Sequence, residues 1–389
     1  MTVHNKAEMR LLYGGLFLVA TCLNSLAPLM LEFQRVFIIS MSVSALIPAS
    51  QSCGTILANL TATWKLGVTG TRRAARIGIM LNVTGLFLLL MSRNMVMLCL
   101  GFFFVGSSFA LILTTFSTIM AHLPEQHQRF SRLHAFFGLG GLTGPLLANQ
   151  VLRTGHSYHL VFAVELAAAL VYMGVLFFRS VPDFREERQA GERSAALFRP
   201  ALAVVLVLLG LYSVSEMSLA IWSPNSFART LGWEPYECAL ILSGFWLTFT
   251  LGRYFGDYLI HRWQPARLIR TFTFSSGVFL LLFTWGDPAF KPAAFLLTAL
   301  SISTLFPAIH FSVNRRVPPS LRSSLNAALF LTVSGAGLVG IPLIGIVADV
   351  NMSLGFTLLL VPYLSIFVFL PPLLAKVRRE DHVGSAFRL

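Results

Sequence analysis

Residues 95–120 read MVMLCLGFFFVGSSFALILTTFSTIM, a run of 26 residues without a charged side chain. An α-helix of about 20 apolar residues crosses the hydrocarbon core of a bilayer, so this stretch predicts a membrane-spanning helix. A membrane β-strand does not account for it, because barrel strands run for only about 10 residues of alternating polarity. The stretch therefore predicts an α-helical membrane protein.

The composition of the whole chain agrees with that prediction. Apolar residues make up 56% of the 389 residues and charged residues 12%, whereas soluble domains carry roughly 25% charged residues. So few charges cannot cover the surface of a soluble protein of this length. We therefore expect a lipid bilayer around most of the chain, and no nucleic-acid partner, although the net charge is +13.

Eleven more apolar stretches resemble the first in length. Each is about 20 residues or longer, and short polar segments separate them. The sequence thus predicts an all-α membrane protein with twelve transmembrane helices. We place these spans at 10–33, 40–64, 73–92, 95–120, 131–153, 158–180, 200–226, 235–258, 266–286, 290–314, 322–347 and 353–376.

The basic residues predict the orientation of these spans. Of the 29 Lys and Arg residues, 24 fall in alternate loops and at the two ends of the chain, and 5 fall in the opposite loops. Cytoplasmic loops are enriched in Lys and Arg. We therefore expect both termini and the loop 181–199 in the cytoplasm, with the protein in the cytoplasmic (inner) membrane of a bacterium.

The longest polar segment divides the chain into equal halves and predicts its domains. Residues 1–180 would form an N-terminal six-helix bundle, 181–199 a solvated cytoplasmic linker, and 200–389 a C-terminal six-helix bundle with a short tail. The halves also repeat weakly: Gly54 and Gly252 are 198 residues apart, and Gly141 and Gly337 are 196 apart. Such repeats predict two pseudo-symmetric bundles.

This organisation resembles the major facilitator superfamily over essentially the whole chain. The second half carries the more specific likeness, in GLYSVSEMSLAIWSPNSFARTLGW (210–233), LSGFWLTFTLGRYFGDYLIHRW (242–263), LFPAIHFSVNRRVPP (305–319) and GAGLVGIPLIGIVAD (335–349). These segments are similar to the fucose permease branch, whose members are sugar–proton symporters. The resemblance implies a secondary transporter that works by alternating access.

The likeness to that branch is incomplete at its acidic positions. The carboxylates that the branch carries in its first and fourth helices correspond here to Ala27 and to Leu113 or Thr114. Two polar positions do match: the resemblance implies that Asn24 and Gln150 contact a hydroxylated solute. A sugar-like substrate is therefore expected, but its proton must be carried elsewhere.

Two ionisable side chains inside the spans are candidates for proton coupling. Glu216 lies well inside span seven, on a polar stripe with Tyr212 and Ser213. His310 lies in span ten, nearer the cytoplasmic end. Ionisable groups in a membrane usually face a bundle interior or a cavity, although a buried glutamate also serves packing. We expect Glu216 to carry the proton and His310 to assist or to gate.

Neutral polar and aromatic side chains on the same predicted helix faces are candidates for substrate binding. Amides and hydroxyls suit hydroxylated ligands, and an aromatic plate suits the apolar face of a sugar, although Ser and Thr often bond only to their own helix. The predicted substrate-binding residues are Asn24, Gln51, Thr114, Gln150, Tyr212, Ser213 and Trp246.

Three charged residues near the cytoplasmic end of span eight predict a gate. Arg253, Asp257 and Arg262 could form a charge latch there, although arginines at this end also anchor the topology. Two further acids are assigned no transport role. Glu165 in span six is expected to snorkel or to make a structural bond, and Glu32 to lie at an interface.

The motifs and spacings favour a transporter over an enzyme. The sequence has no P-loop, no G-x-S-x-G, no H-E-x-x-H and no Cys/His metal motif, so neither a catalytic residue nor a cofactor is predicted. The leading interpretation is a monomeric, proton-coupled symporter of a small polar, sugar-like solute. Two alternatives stay open: an exporter of amphipathic compounds or metabolites by proton antiport, and a non-transporting membrane sensor or assembly factor.

Overall fold

The regular structure of the described chain is entirely α-helical apart from one 3₁₀ turn. The computed structural model describes residues 3–122, 130–179, 181–185, 200–316 and 319–386. The helices are α1 (Val3–Asn24), α2 (Leu26–Phe37), α3 (Met41–Ser44), α4 (Leu46–Thr69), α5 (Thr71–Leu90), α6 (Met95–His122), α7 (Phe130–Arg153), α8 (His159–Phe178), α9 (Pro200–Leu231), α10 (Pro235–Arg262), α11 (Pro265–Trp285), α12 (Lys291–Ser303), α13 (Leu305–Asn314), α14 (Pro319–Val350), α15 (Met352–Leu358) and α16 (Leu360–Ala386).

Ten segments of the described residues are long and apolar enough to cross a membrane. The other two predicted spans, 40–64 and 131–153, are represented by α4 and α7, each 24 residues long. At 1.5 Å per residue such a helix is about 36 Å long, which is enough to span. Their lower apolarity comes from polar side chains such as Gln51, Asn59, Thr143 and Asn149. These two helices are therefore the polar members of the twelve-span set.

Four of the predicted spans are broken into two helices, and each break lies three residues before a proline. The breaks are at Ser25 between α1 and α2 ahead of Pro28, Ala45 between α3 and α4 ahead of Pro48, Thr304 between α12 and α13 ahead of Pro307, and Leu359 between α15 and α16 ahead of Pro362. Proline has no N–H and its ring clashes with the carbonyl four residues earlier, so the helix cannot continue regularly there. Each break interrupts the helix at a single residue, which keeps right-handed helical dihedral angles.

The chain forms two compact units, and the boundary between them runs through α9 and α10. One unit comprises Met1–Gln189 and Ile221–Leu247, and the other comprises Ala190–Ala220 and Thr248–Leu389. Within the first unit, α4 and α5 pack along α6, and α7 packs along α1. Within the second, α11 packs against α12, α13 and α16, and α14 packs against α15.

Equivalent glycines make equivalent close helix contacts inside each unit. A Cβ on Gly144 of α7 would lie 2.7 Å from Thr21 O of α1, and one on Gly340 of α14 would lie 2.5 Å from Val214 Cγ2 of α9. These glycines are 196 residues apart, the spacing predicted for this pair of spans. Glycine is used here because a side chain would push the two backbones apart.

The start of the central loop is bonded to the first unit. The Thr71 hydroxyl donates to Pro182 O at 2.7 Å, and Phe184 N donates to the same hydroxyl at 2.9 Å. Arg72 N, in the first turn of α5, donates to Asp183 Oδ1 at 3.1 Å. Residues 181–185 therefore dock on α5 instead of being freely solvated, while 186–199 of the predicted linker lie outside the described residues.

Candidate functional site

The most buried ion pair of the described chain joins two predicted site residues in the second unit. Glu216 of α9 is 5% exposed, and its Oε1 lies 3.7 Å from Arg253 Nη2 of α10. The Arg253 guanidinium also lies over the Phe249 ring, 4.3 Å from its centroid. A charged carboxylate in such a setting needs a cation or a proton to offset its lost hydration. Arg253 supplies the cation.

The side chains that flank Glu216 bond to the backbone of broken spans. Tyr212 donates from its hydroxyl to Ile302 O at 2.6 Å, next to the break at Thr304. Ser215 donates to Leu359 O at 3.0 Å, at the break between α15 and α16. The stretch of α9 that carries Glu216 is therefore tied to both broken spans of the second unit.

Tyr212 also touches the Glu216 carboxyl group itself, one helical turn further along α9. The hydroxyl of Tyr212 has a single proton, so it can donate either to Ile302 O or to that carboxyl group at one time. The neighbouring Ser213 is also buried. Glu216 thus lies beside a cation, Arg253, and a hydroxyl group, Tyr212.

His310 lies on α13, where it stacks on Phe306 with ring centroids 5.9 Å apart. The Phe306 ring is in turn 6.4 Å from that of Tyr212. The structure thus connects His310 to the Glu216 region through aromatic rings, with its imidazole half-buried.

Two predicted amides lie close together in the first unit. Asn24, at the end of α1, is 9% exposed and donates from Nδ2 to Ala20 O at 2.8 Å. Gln51 of α4 donates from Nε2 to Leu23 O at 3.1 Å, which places it beside Asn24. Within the part of the chain that the structure describes, neither amide oxygen accepts a hydrogen bond. This leaves two acceptors together at the break after α1.

The other predicted binding residues of the first unit are more scattered. Thr114 donates to Asn59 Oδ1 at 3.2 Å. Trp246 is buried against Gly141, with Phe137 edge-on to its ring at 6.3 Å. Gln150 is exposed in the last turn of α7 and accepts a hydrogen bond from its neighbour Arg153 at 3.3 Å. The structure thus does not bring Gln150 to the Asn24–Gln51 pair.

The three predicted gate residues are described to different extents. Arg253 points to Glu216, whereas Arg262 is exposed and lies over the ring of Tyr258, 5.0 Å from its centroid. The Asp257 side chain lies outside the described residues. Arg253 is therefore as much a partner of the predicted proton carrier as a member of a latch.

Sequence reasoning missed a group of polar contacts that hold α9 and α10 to α2 and α7 in the first unit. Asn225 donates from Nδ2 to Gln34 Oε1 at 2.5 Å, and Arg35 pairs with Glu234 at 2.8 Å. Asn149 donates to Tyr236 O at 2.7 Å. The first two pairs are about 190–200 residues apart in the chain, so no local pattern could have revealed them.

Of the two expectations for Glu165, snorkelling or a structural bond, the structure shows the bond, because the side chain is only 3% exposed within the first unit. Ser25, the residue at the break between α1 and α2, forms a hydrogen bond with its Oε1. Among the described residues, no group of three or more His, Cys, Asp and Glu could hold a metal ion.

Comparison with known proteins identifies the family. The model of the Major Facilitator Superfamily matches residues 12–302. The chain belongs to the Major Facilitator Superfamily. Protein TsgA of Salmonella arizonae is 20% identical over 266 residues, which cover 66% of this chain and 67% of that protein. Protein TsgA of Escherichia coli is 18% identical over the same shares.

Solved structures of this superfamily share the fold. The nucleoside transporter NupG superposes with a TM-score of 0.75 at 12% identity, over 95% of this chain and 98% of NupG. The D-xylose-proton symporter gives 0.75 at 13% identity, over 93% and 97%. The Escherichia coli fucose:proton symporter FucP gives 0.64 at 18% identity, over 92% and 97%. At these identities the likeness establishes the fold alone.

Family membership and fold confirm the main sequence predictions. The chain is an all-α, multi-pass integral membrane protein with the major facilitator fold, and it is a secondary transporter of small molecules, not an enzyme. The resemblance to this superfamily, including structural similarity to the fucose permease, is likewise confirmed. The solute, the coupling ion and the roles of individual residues are taken up below.

Proposed function

We propose that this protein is a proton-coupled transporter of a small, polar, hydroxylated solute and that Glu216 carries the proton. One observation supports this most strongly: Glu216 is buried and pairs with Arg253, whose side chain is about one-third exposed. A proton on Glu216 would neutralise the buried carboxylate, and Arg253 could then turn towards water.

Protonation of Glu216 would release Arg253 and thereby change the packing of α9 against α10. The hydroxyls of Tyr212 and Ser215 tie the same stretch of α9 to the broken spans α12–α13 and α15–α16. A change at Glu216 therefore acts on three helix contacts of the second unit. In this proposal His310, which stacks on Phe306 next to Tyr212, assists proton transfer towards the cytoplasmic end.

The hydroxylated nature of the solute is inferred from the amides of the first unit. The side-chain oxygens of Asn24 and Gln51 accept no hydrogen bond from the described residues and lie at the break after α1. Hydroxyl groups of a ligand would donate to them. The other residues of the proposed substrate-binding set are Thr114, Gln150, Tyr212, Ser213 and Trp246. The structurally similar D-xylose-proton symporter and FucP transport sugars according to their names, which favours the same solute class.

The proposal also covers the membrane in which the protein lies, its two helix bundles and the orientation of its termini. We place the protein as a monomer in a bacterial inner membrane, with 1–180 and 200–389 as the two six-helix bundles and both termini in the cytoplasm. A single cysteine at position 190 in a functional cysteine-free variant tests the orientation. Labelling of that cysteine by an impermeant reagent from outside intact cells would contradict it.

The proposal is tested with the full-length protein reconstituted in liposomes that contain a trapped pH indicator. A thermal-shift panel of monosaccharides, nucleosides and organic acids first selects a stabilising solute. Addition of that solute should then move protons in the direction of solute flow. Solute flow without proton movement would refute proton coupling, and opposite directions of flow would establish antiport, the mechanism of the alternative exporter.

A further inference from the structure

A second buried carboxyl group lies in the first unit, where its hydrogen-bond partner Ser25 follows the predicted site residue Asn24 in the chain. We call it the Glu165 cluster, and it comprises Cys22, Ser25, Asn82 and Glu165, from α1, the break after α1, α5 and α8. Ser25 bonds with Glu165 Oε1, the Cys22 thiol contacts the same carboxyl group, and Asn82 Nδ2 donates to Cys22 Sγ at 3.6 Å. All four side chains are buried.

The Glu165 cluster differs from the Glu216 pair in having no cation. In the described residues no Lys, Arg or His forms an ion pair with Glu165, and its Oε2 is buried without a hydrogen-bond partner. An ionised carboxylate in such surroundings is costly, whereas a protonated carboxyl group is neutral. The environment therefore suits a carboxyl group that holds a proton.

The hydroxyl of Ser25 can form a hydrogen bond with Glu165 whether the carboxyl group is protonated or ionised. Its Oγ lies 3.1 Å from Thr21 O as well as next to Glu165 Oε1, but a hydroxyl has one hydrogen. With Glu165 protonated, the carboxyl group donates to Ser25 and Ser25 donates to Thr21 O. With Glu165 ionised, Ser25 turns to donate to the carboxylate, and Thr21 O keeps the hydrogen bond from Ser25 N at 3.1 Å. A single hydroxyl rotation connects the two states.

The Glu165 cluster lies beside a more exposed hydroxyl, that of Thr143, and at the break between α1 and α2. Thr21 Oγ1 lies 2.9 Å from the hydroxyl of Thr143 on α7, which is half-buried. Ser25 itself occupies the break between α1 and α2. The partner of the carboxyl group thus sits at an interruption of the span, next to a residue, Thr21, whose own hydroxyl contacts the half-buried Thr143.

The other titratable groups on the helices around α8 are turned elsewhere. Tyr172 donates to Leu11 O, and Arg76 bonds to Phe177 O at the far end of α8. Cys22 is the titratable side chain that contacts Glu165. Tyr13, in the middle of α1, stacks on Phe136. The remaining titratable residues of α1, α2, α5 and α7 lie towards helix ends: His4, Lys6, Glu8, Arg10, Glu32, Arg35, Arg72, Arg73, Arg132, His134 and Arg153.

We propose that Glu165 is a proton-binding site of the first unit, which holds a proton hydrogen-bonded to Ser25 and exchanges it with water through the Ser25 hydroxyl. No covalent bond other than the O–H bond is made or broken: the proton leaves the carboxyl group and goes to water. This proposal does not depend on the role of Glu216 or on the identity of the solute.

Infrared difference spectroscopy of the full-length protein in lipid tests the site without any solute. The wild type at neutral pH should show the carbonyl stretch of a protonated carboxylic acid, and this band should shift in D₂O. Glu165→Gln should remove the band, whereas Glu216→Gln and Glu32→Gln should retain it. Persistence of the band in Glu165→Gln, or its failure to shift in D₂O in the wild type, would overturn the proposal.

A second variant keeps the test decisive if Glu165→Gln does not fold. Ser25→Ala retains the carboxyl group and removes its hydrogen-bond partner, so the same band should move to higher frequency. An unchanged frequency would show that Ser25 does not bond to a protonated Glu165. If the proposed coupling at Glu216 is incorrect, the error would show in the liposome assay of solute-driven proton movement. The infrared experiment uses no solute and therefore does not depend on that coupling.

Discussion

Glu216 of α9 and Arg253 of α10 form an ion pair of 3.7 Å, although 37 residues separate them in the chain. Glu216 is almost fully enclosed, and the Arg253 side chain is about one-third exposed. The carboxylate thus depends on a cation that can itself turn towards water. In our proposal, a proton on Glu216 removes the negative charge that attracts Arg253, so the pair has two states, one with the ion pair and one without it.

Replacement of Glu216 by glutamine should abolish coupling while exchange continues. Glutamine keeps the shape of the side chain but cannot take up a proton, so solute accumulation driven by a pH gradient should disappear. Counterflow of solute between the two faces should persist, because it requires no net proton movement. Both are measured in proteoliposomes with the solute selected by thermal shift.

Glu32→Gln is the matched control for that variant. Glu32 is a half-buried acid of α2, and its substitution should leave gradient-driven accumulation unchanged. Accumulation that survives in Glu216→Gln would show that another group, such as His310, carries the proton.

Removal of Arg253 alone should destabilise the protein, and removal of both partners should restore part of the stability. Arg253→Gln leaves a buried carboxylate without its cation. A fully buried pair broken in this way costs about 3–5 kcal/mol, and we expect about 1–3 kcal/mol here because Arg253 is partly exposed. In Glu216→Gln/Arg253→Gln no charge is left unpaired, so the melting temperature should rise again.

Arg262→Gln is the control for this cycle. Arg262 lies on the same helix, is exposed and stacks on Tyr258, so its loss should change the melting temperature little. Strictly additive effects of the two single variants would show that Glu216 and Arg253 do not interact in the folded protein.

The sequence predicted the helices of this fold better than their contacts. Apolar runs determine the spans because the bilayer fixes a length of about 20 residues, and the glycine repeat at an offset of 196 residues recurs in the packing of Gly144 and Gly340. The breaks in four spans follow from Pro28, Pro48, Pro307 and Pro362, which were visible in the sequence but indicate only that a helix cannot continue regularly.

Pairings between distant residues could not be predicted in the same way. Glu216 was singled out by its depth in span seven, but its partner Arg253 was assigned to a gate, because basic residues at a cytoplasmic helix end serve topology as well. For Glu165 the sequence left snorkelling and a structural bond open, because a single acid in an apolar helix does not reveal whether a hydroxyl of a neighbouring helix or water at the surface will be its partner.

The two amides beside the α1–α2 break provide a test of solute chemistry. Asn24→Ala and Gln51→Ala each remove an acceptor that the described residues leave open. If a hydroxylated solute donates to these oxygens, each loss leaves a ligand hydroxyl unpaired and costs about 1–3 kcal/mol. Binding measured by calorimetry should weaken roughly tenfold or more in each variant. Gln150→Ala, tested in parallel, is expected to weaken binding to a similar extent.

A control variant and the affinity results that would contradict this prediction complete the test of solute binding. Gln264→Ala changes an exposed glutamine at the start of α11 and should leave the affinity unchanged. Full affinity in both Asn24→Ala and Gln51→Ala would rule out these amides as ligands of the solute. A loss confined to Gln150→Ala would instead place binding at the end of α7.

Covalent linkage of Gln34 to Asn225 should stop transport if their contact opens in each cycle. The Gln34 side chain stands between two partners: its Oε1 accepts from Asn225 Nδ2 at 2.5 Å, and its Nε2 donates to Ser44 Oγ at 2.9 Å. The first bond holds α9 to α2, whereas the second is local to α2 and α3.

A cysteine pair at either contact can be joined by a short bifunctional thiol reagent, after replacement of the four native cysteines, which are all free. With Gln34→Cys/Asn225→Cys, uptake into proteoliposomes should fall in proportion to the fraction linked and recover when a cleavable reagent is reduced. With Gln34→Cys/Ser44→Cys, the same degree of linkage should leave uptake intact, because that contact has no need to open. Full uptake by protein completely linked between positions 34 and 225 would show that α2 and α9 stay together throughout the cycle.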